Sequence, residues 1–291
     1  MSLLNQKILM SDAYNFDVNE AINPYYIASE VNSFRAEREH QQLQNLLIEA
    51  GINIIQVPSP LGCQDGVYTA NWALVRNNKA VIANLPDARK HEEIYAEKIL
   101  SDLGKEIIRI PKNLKFSGQG DALPCGDLLF CGNGYRSDEE AQKIAAEALG
   151  YQRIQLKTIP LLDQNHRPVI NSSTGWNESY FYDIDLALAI IRTPTDKRRG
   201  LIAYCQEAFI PESQNILNNL KDLDKILVTI QEAKNGFATN LISTGDTVTM
   251  SANAPLLTKE LKNHGLRVQT IALNEISKGG GFIRCMALTL D

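Results

Sequence analysis

A glycine-rich run near the C-terminus contains a cysteine that could act as a nucleophile. Residues 278–286 read KGGGFIRCM, and an apolar segment follows Cys285. Three successive glycines let the backbone approach a ligand closely, and a cysteine at the start of the strand behind them can lie at the floor of a cleft. Arg284 would favour the thiolate if it turned towards the sulfur, although adjacent strand residues usually point to opposite faces. The alternative is a buried Cys285 that packs as a small hydrophobe.

Polar side chains recur in four short segments elsewhere in the chain. The segments read QDGVYTANW (64–72), GQGD (118–121), GNGYRS (132–137) and YDID (182–185). In the last one, Asp183 and Asp185 would lie on one face of a strand, where two carboxylates could bind a cation. The other segments hold residues that are also ordinary in turns and loops: Asp65, Asn71, Asp121 and Arg136.

The elements that must position these residues form a repeat. A helical stretch that ends in glycine and continues into a short apolar strand occurs four times, at LLIEAGINIIQVP (Gly51), ILSDLGKEIIRIP (Gly104), AAEALGYQRIQL (Gly150) and LKNHGLRVQTIAL (Gly265). A fifth copy, LKDLDKILVTI, places Asp224 at this position. A left-handed backbone is expected there, which glycine adopts freely and aspartate tolerates better than most residues.

Further strands lie between each copy and the next helix. The segment VYTANWALVRNNKAVIANLP predicts a hairpin around Asn77 and Asn78. Each unit is therefore predicted to contain several strands and one helix, and five such units favour a five-fold α/β architecture over the alternative, an open α/β sheet. No Gly/Ser-rich or Pro-rich linker divides the sequence, so we predict one domain over residues 1–291.

Composition narrows the class of protein further. The 291 residues include 29 Lys and Arg against 34 Asp and Glu, a net charge of −5, and no basic cluster, which argues against nucleic-acid binding. No apolar run reaches the roughly 18 residues that cross a bilayer, so we expect no membrane association and a cytoplasmic location. Five cysteines without a C-x-x-C pair and four separated histidines predict neither a disulfide framework nor a metal, and no cofactor is indicated.

These segments, in this order, resemble the guanidino-group-modifying (pentein) superfamily. That superfamily includes dimethylarginine dimethylaminohydrolase, arginine deiminase, arginine dihydrolase and amidinotransferases. The resemblance extends nearly from end to end and rests on Met10 in ILMS, Asn23-Pro24, DGVYTAN, the GxGD turn, GNGYR, YDID, Asn240 in FATN, and GGGFIRCM. It implies a five-bladed α/β propeller.

The resemblance also implies a chemistry. Cys285 would attack the central carbon of a guanidinium group and form a covalent amidino-thioether, from which water gives a urea and an amine gives amidino transfer. Asn71 and Asp185 match positions that face the guanidinium in relatives, and Arg136 matches an arginine that binds the substrate carboxylate. We assign three further residues to substrate binding: Asp65, Asp121 and Arg284.

Two positions depart from the superfamily pattern. Relatives usually read H-L-D where this chain has Asp183-Ile184-Asp185, and many have an acidic residue where this chain has Ser117. A carboxyl group with a pKa near 4 donates a proton poorly at pH 7 unless its surroundings raise that pKa by about two units. Three outcomes follow: Asp183 transfers the proton with a raised pKa, a displaced histidine such as His166 replaces it, or the fold is kept and hydrolysis is lost.

The sequence therefore favours a cysteine-dependent enzyme that acts on a small arginine-like guanidino compound, with hydrolysis preferred over amidino transfer. Its catalytic residues would be Cys285 and Asp183. A guanidine-binding protein without catalysis is the alternative, and a homo-oligomer is left open. An unrelated α/β hydrolase or binding domain is disfavoured because neither G-x-S-x-G nor G-x-x-x-x-G-K-[ST] occurs.

Overall fold

A computed structural model describes residues 4–27 and 29–291. Among these residues the strands are β1 (Lys7–Ser11), β2 (Asn53–Val57), β3 (Ala73–Arg76), β4 (Lys79–Ile82), β5 (Glu106–Arg109), β6 (Ala122–Cys125), β7 (Leu128–Asn133), β8 (Gln152–Lys157), β9 (Leu188–Arg192), β10 (Gly200–Tyr204), β11 (Leu223–Leu227), β12 (Ile242–Ser243), β13 (Thr247–Ser251), β14 (Arg267–Ile271) and β15 (Leu288–Thr289). The helices are α1 (Ser33–Glu49), α2 (Lys90–Asp102), α3 (Glu139–Leu149), α4 (Pro211–Asn219), α5 (Ile230–Gly236) and α6 (Pro255–Asn263).

The strands form five three-stranded sheets with one construction. Their orders are β15-β1-β2, β3-β4-β5, β6-β7-β8, β9-β10-β11 and β12-β13-β14. In each sheet the first pair is antiparallel and the second pair is parallel, with a helix between the two parallel strands. This five-fold repeat confirms the predicted five-bladed α/β propeller.

The first sheet joins the two ends of the described chain. Its innermost strand is β15, which pairs antiparallel with β1 through Leu9 opposite Leu288. Both leucines are fully buried, so the last strand is packed into the core as tightly as the first. This closure fits one domain over residues 1–291, which stays a prediction. No helix in residues 4–27 and 29–291 is long and apolar enough to cross a membrane.

Four helices end at the glycines that the sequence singles out. Gly51, Gly104, Gly150 and Gly265 have φ angles of 89°, 79°, 70° and 77°. Those angles lie in the left-handed region, which glycine enters without the steric cost that a Cβ would bring. The predicted hairpin is also confirmed, because β3 and β4 are antiparallel and Asn77 adopts a φ of 54° at their turn.

The left-handed conformation predicted for Asp224 is wrong. Asp224 lies within β11 and pairs with Leu201 in parallel register. Helix α4 ends earlier than the pattern suggests, and the residue that follows it, Leu220, is extended, with φ −71° and ψ 104°. In the fourth unit the chain therefore passes from helix to strand without a left-handed residue. The position that aligns with the glycines of the other copies, Asp224, falls inside the strand.

Candidate active site

The inner strand of each sheet begins beside a residue that can do chemistry. Asn71 lies just before β3, Asp121 before β6, Asp185 before β9, Asn240 before β12 and Cys285 before β15. Because the five sheets are related by a pseudo-five-fold repeat, these residues meet at one end of the propeller. The fold thus brings together side chains that are far apart in sequence.

Cys285 is held by groups from two other units. Its Sγ accepts a hydrogen bond from Asn240 Nδ2 at 3.2 Å and lies 3.4 Å from Asp185 Oδ2. Asn240 Oδ1 in turn accepts the backbone N–H groups of Arg284 and Cys285, at 2.8 and 3.2 Å, which fixes the turn containing the cysteine. Burial raises the pKa of the Cys285 thiol well above its usual value, and the nearby carboxylates of Asp185 and Asp183 add to this. This environment therefore disfavours the thiolate of Cys285.

Asp183 and Asp185 are not on one face of a strand, so that prediction is wrong. They flank Ile184 at the start of a 3₁₀ helix, Ile184–Leu186. The backbone turns there because Ile184 N–H donates to Asp121 Oδ1 at 3.0 Å, a contact between distant segments. The turn brings both carboxylates to Cys285 nevertheless.

Each of these two carboxylates keeps one buried oxygen without a partner. Asp183 Oδ2 accepts from Asn71 Nδ2 at 2.8 Å, and Asp185 Oδ2 faces the sulfur, whereas both Oδ1 atoms have no hydrogen bond within the described residues. A buried polar atom without a hydrogen bond costs about 1–3 kcal/mol. The site is therefore built to receive N–H donors between these carboxylates.

Asn71 belongs to a buried network that sequence analysis missed. Its Oδ1 accepts from Arg89 Nη1 at 2.9 Å, and its Nδ2 also donates to Ser117 Oγ at 2.9 Å. Arg89 forms two hydrogen bonds with Glu92, at 2.8 and 2.6 Å. In the sequence, Arg89 and Glu92 are an ordinary charged pair at helical spacing, which is usually exposed to solvent. Nothing in the local sequence therefore predicts that this pair is buried beside the site.

Asp65 and Arg136 line the same cavity as Cys285. Tyr26 Oη donates to both carboxylate oxygens of Asp65, at 2.6 and 2.7 Å. Arg136 donates to the backbone oxygen of Ile22, and its guanidinium carbon lies 4.9 Å from the centre of the Tyr182 ring. Asp65 and Arg136 thus both lie at the cavity, and both are hydrogen-bonded to other parts of the protein.

Asp121, Asp185 and Arg284 lie outside the residues that line this cavity, and of these only Asp185 contacts Cys285 through its side chain. Asp121 stabilises the turn at Ile184 by accepting a hydrogen bond from the Ile184 backbone N–H. Arg284 donates to Gln119 Oε1 at 2.9 Å and to the backbone oxygen of Ala287, and it lines a separate cavity of about 450 Å³ at the other ends of the inner strands. The assignment of Asp121 and Arg284 to substrate binding stays a prediction, and the geometry favours structural support.

The cavity itself is small. Its volume is about 10 Å³, room for about one water molecule, so groups around it must move to admit an arginine-sized compound. It is lined by Ile22, Asn23, Asp65, Tyr68, Asn71, Arg89, Arg136, Tyr182, Asp183, Gly279, Gly281 and Cys285. None of these is a histidine, and His166 is exposed in a turn with φ 59°. The geometry gives no support to a displaced histidine.

The carboxyl groups around Cys285 affect one another's ionisation. Burial raises the pKa of Asp183, whereas Arg136, hydrogen bonds from Ser117 and Asn71, and Arg89 oppose that rise. The pKa values of Asp121 and Asp185 are raised well above normal, first by burial and then by the charge of Asp183. Neighbouring buried carboxylates resist ionising together, so a bound cation would favour their charged forms. No group of three or more metal-ligating residues is found in the described ranges.

Gly120 leaves no space beside the Asn71–Asp183 hydrogen bond. A Cβ on Gly120 would lie 2.7 Å from Asp183 Oδ2 and closer still to Asn71 Nδ2. We expect Gly120→Ala to displace this pair and to lower kcat/KM for a guanidino substrate about 100-fold, because small misplacements of reacting groups are costly. Steady-state kinetics with Gly126→Ala as control checks this. A Cβ on Gly126 meets no atom within 4 Å, although its φ is 65°. Equal kinetics for the two variants would contradict the expectation.

This fold and this site define a guanidino-group-modifying protein, and sequence comparison places the chain within that superfamily. A model described as eukaryotic N,N dimethylarginine dimethylhydrolase matches residues 12–290. The chain therefore belongs to the N,N-dimethylarginine dimethylhydrolase family.

Individual relatives agree with this family. The chain is 27% identical over 278 residues to N(G),N(G)-dimethylarginine dimethylaminohydrolase of Mycobacterium tuberculosis, which covers 94% of this chain and 82% of that protein. It is 26% identical over 288 residues to the bifunctional arginine dihydrolase/ornithine cyclodeaminase ArgZ of Synechocystis sp., covering 97% of this chain but spanning only 37% of that protein. The crystal structure of the N-terminal domain of ArgZ bound to product has a TM-score of 0.84 at 24% identity, covering 98% of this chain and 97% of that one, and confirms the fold.

Proposed function

We propose that this protein hydrolyses a C–N bond of a small arginine-like guanidino compound, with Cys285 as nucleophile. One observation carries the proposal: the buried Cys285 sulfur lies 3.4 Å from Asp185 Oδ2 and shares a cavity with Asp183, and each of these carboxylates has an unpartnered oxygen. A guanidinium group is planar, positively charged and rich in N–H donors. It can satisfy Asp183 and Asp185 together while its central carbon faces the sulfur.

The first half-reaction forms a covalent intermediate. The Cys285 thiol passes its proton to the Asp183 carboxylate, and the sulfur attacks the central carbon. The C–N bond to the leaving amine breaks, and that nitrogen takes the proton back from Asp183. The products of this step are a free amine or ammonia and an amidino group joined to the sulfur.

The second half-reaction releases the product. Asp183, again a carboxylate, accepts a proton from a water molecule whose oxygen attacks the amidino carbon. The C–S bond breaks, the sulfur recovers that proton from Asp183, the second proton of the water is lost to solvent, and a neutral ureido compound leaves. Asp183 thus performs the role that a histidine has in the resembling families, and the rise in its pKa through burial brings it nearer to that of an effective acid and base.

Hydrolysis is favoured over amidino transfer by the family and by the named relatives. The family model and the mycobacterial relative are described as hydrolases of dimethylarginine, and ArgZ as an arginine dihydrolase. An amidinotransferase would require an amine acceptor and show ping-pong kinetics. To test for amidino transfer, glycine or ornithine is added to the assay as an amine acceptor. A new guanidino compound formed from that acceptor would reveal the transfer.

A second candidate is a guanidine-binding protein without turnover. The lack of a histidine among the residues that line the cavity favours it. Such a protein would be stabilised thermally by arginine without forming product, and the stabilisation would survive Cys285→Ala.

The test is turnover of a panel of guanidino compounds. Purified protein is incubated with arginine, methylated arginines, agmatine and guanidinoacetate, and ureido product and released amine or ammonia are measured. We expect at least one compound to give both products in equal amounts, and chloroacetamidine, a cationic alkylating agent, to label Cys285. Labelling restricted to other cysteines of the folded protein, without turnover, would refute the proposal.

A further inference from the structure

A fully buried ion pair, Arg89–Glu92, lies at the start of α2, and its arginine lines the cavity. The side chains of Arg89 and Glu92 are 5% and 0% exposed, and their closest atoms are 2.6 Å apart. Trp72 Nε1 adds a hydrogen bond to Glu92 at 3.0 Å. Burying two charges costs desolvation free energy, and such pairs are weak evidence for stability alone. Their other contacts show what they position.

Arg89 fixes the direction of the Asn71 side-chain amide. Arg89 Nη1 is 2.9 Å from Asn71 Oδ1, and a guanidinium group has only donors, so it must face the amide oxygen. The amide nitrogen consequently faces Asp183 Oδ2 at 2.8 Å and the backbone oxygen of Ser117 at 3.1 Å. A backbone oxygen only accepts, so both ends of the amide require the same orientation.

We infer that Arg89, held by Glu92, is a positioning residue that keeps Asn71 donating to Asp183 and thereby keeps Asp183 ionised for a guanidinium. The inference rests on the proposed function. A hydrogen bond donated to a carboxylate favours its charged form. Asn71 is then a donor to the proton-transfer group and not an acceptor for the substrate.

The inference also links Asn71 to the unusual residue at position 183. A carboxylate at position 71 would face Asp183 at about the 2.8 Å of the present hydrogen bond. Two carboxylates so close cannot both ionise, so one would retain a proton. The amide removes that conflict only while Arg89 holds its oxygen.

Several charged or titratable groups, from its own segment and from others, also act on Asp183: Arg89, Asp121, Arg136, Tyr182, Asp185 and Cys285. Burial raises the pKa of Asp183, and Arg89 and the Asn71 hydrogen bond are among the groups that lower it. Loss of both contributions would therefore move the ionisation of Asp183 to higher pH.

The experiment is the pH dependence of Cys285 labelling by chloroacetamidine. We compare wild type with Arg89→Gln/Glu92→Gln, which removes both buried charges. In the double variant we expect the acidic limb of the rate to move up by about one pH unit, with a maximum rate at high pH within about threefold of wild type. An acidic limb at the wild-type pH would overturn the inference.

A matched control removes an exposed pair from the same helix. Lys98 and Asp102 form an ion pair in α2 with side chains 71% and 61% exposed. Lys98→Gln/Asp102→Asn should label with the wild-type pH profile. A shift of equal size in this control would show that any change of charge on α2 moves the limb, and would also overturn the inference.

A measurement without ligand separates this inference from the proposed function. If wild-type Cys285 is not labelled, the proposed function fails, and the inference is tested by NMR on the Asn71 side-chain amide, identified by its loss in Asn71→Asp. Its signal should follow the ionisation of Asp183, lose that response in Asp183→Asn, and respond at higher pH in Arg89→Gln/Glu92→Gln. Identical titrations in wild type and the double variant would overturn the inference.

If the double variant does not fold, a milder substitution, Arg89→Lys, tests the inference instead. Arg89→Lys keeps the positive charge but replaces the planar fork that spans Glu92 and Asn71. The same amide signal should again respond at higher pH than in wild type, and an unchanged response would overturn the inference.

Discussion

Cys285→Ala is expected to abolish turnover of every guanidino compound that the wild type hydrolyses, with kcat reduced at least about 10⁴-fold. The covalent step has no substitute, because no other cysteine is among the residues that line the cavity. Steady-state assays of ureido product measure the effect. Arginine-dependent thermal stabilisation should persist, since the carboxylates that hold the cation are unchanged.

Cys125→Ala is the matched control for this prediction. Cys125 is as deeply buried as Cys285 but lies at the far end of β6. The change should lower the free energy of unfolding by a small amount through lost packing and leave kcat near its wild-type value. Residual turnover in Cys285→Ala near the wild-type level would show that another group attacks the substrate.

Asp183→Asn is expected to have the second largest effect, a reduction in kcat of about 10³-fold. The amide has nearly the shape of the carboxyl group but cannot accept and return a proton, and it removes one charge that would hold a guanidinium. Asp196→Asn, an exposed change of the same chemistry, should leave kcat unchanged.

The pH profile gives a distinct readout for Asp183. Its carboxylate must be ionised to accept the thiol proton, so wild-type kcat/KM should fall as pH drops through a pKa that burial raises above the usual value. Asp183→Asn should lose that limb, and the remaining activity should follow the ionisation of Cys285 alone. A variant that keeps both wild-type kcat and the acidic limb would assign proton transfer to another group.

The repeat could be predicted from sequence because its signals are local. Gly51, Gly104, Gly150 and Gly265 each follow the last turn of a helix, and the backbone conformation required there depends on neighbouring residues only. The same local pattern misplaces Asp224, because α4 ends at Asn219 without a left-handed residue and Asp224 already pairs within β11.

The site could be predicted only in part because its contacts join distant segments. The Cys285–Asp185 pair spans 100 residues and the Asn71–Asp183 pair 112. Cys285 and Asp183 were found through motifs, and the 3₁₀ turn that orients Asp183 depends on Asp121 from another sheet. The roles of Asn240 and Arg89 follow from contacts that no local pattern contains.

The most direct test of Cys285 as nucleophile is acid-quenched mass spectrometry of the enzyme during turnover. Protein is mixed with the guanidino compound that reacts fastest in the panel, carrying a ¹³C label at its central carbon, and is quenched in acid and digested. We predict a labelled amidino group on the peptide that contains Cys285. Turnover without labelled protein, or a label on any other cysteine, would contradict the account.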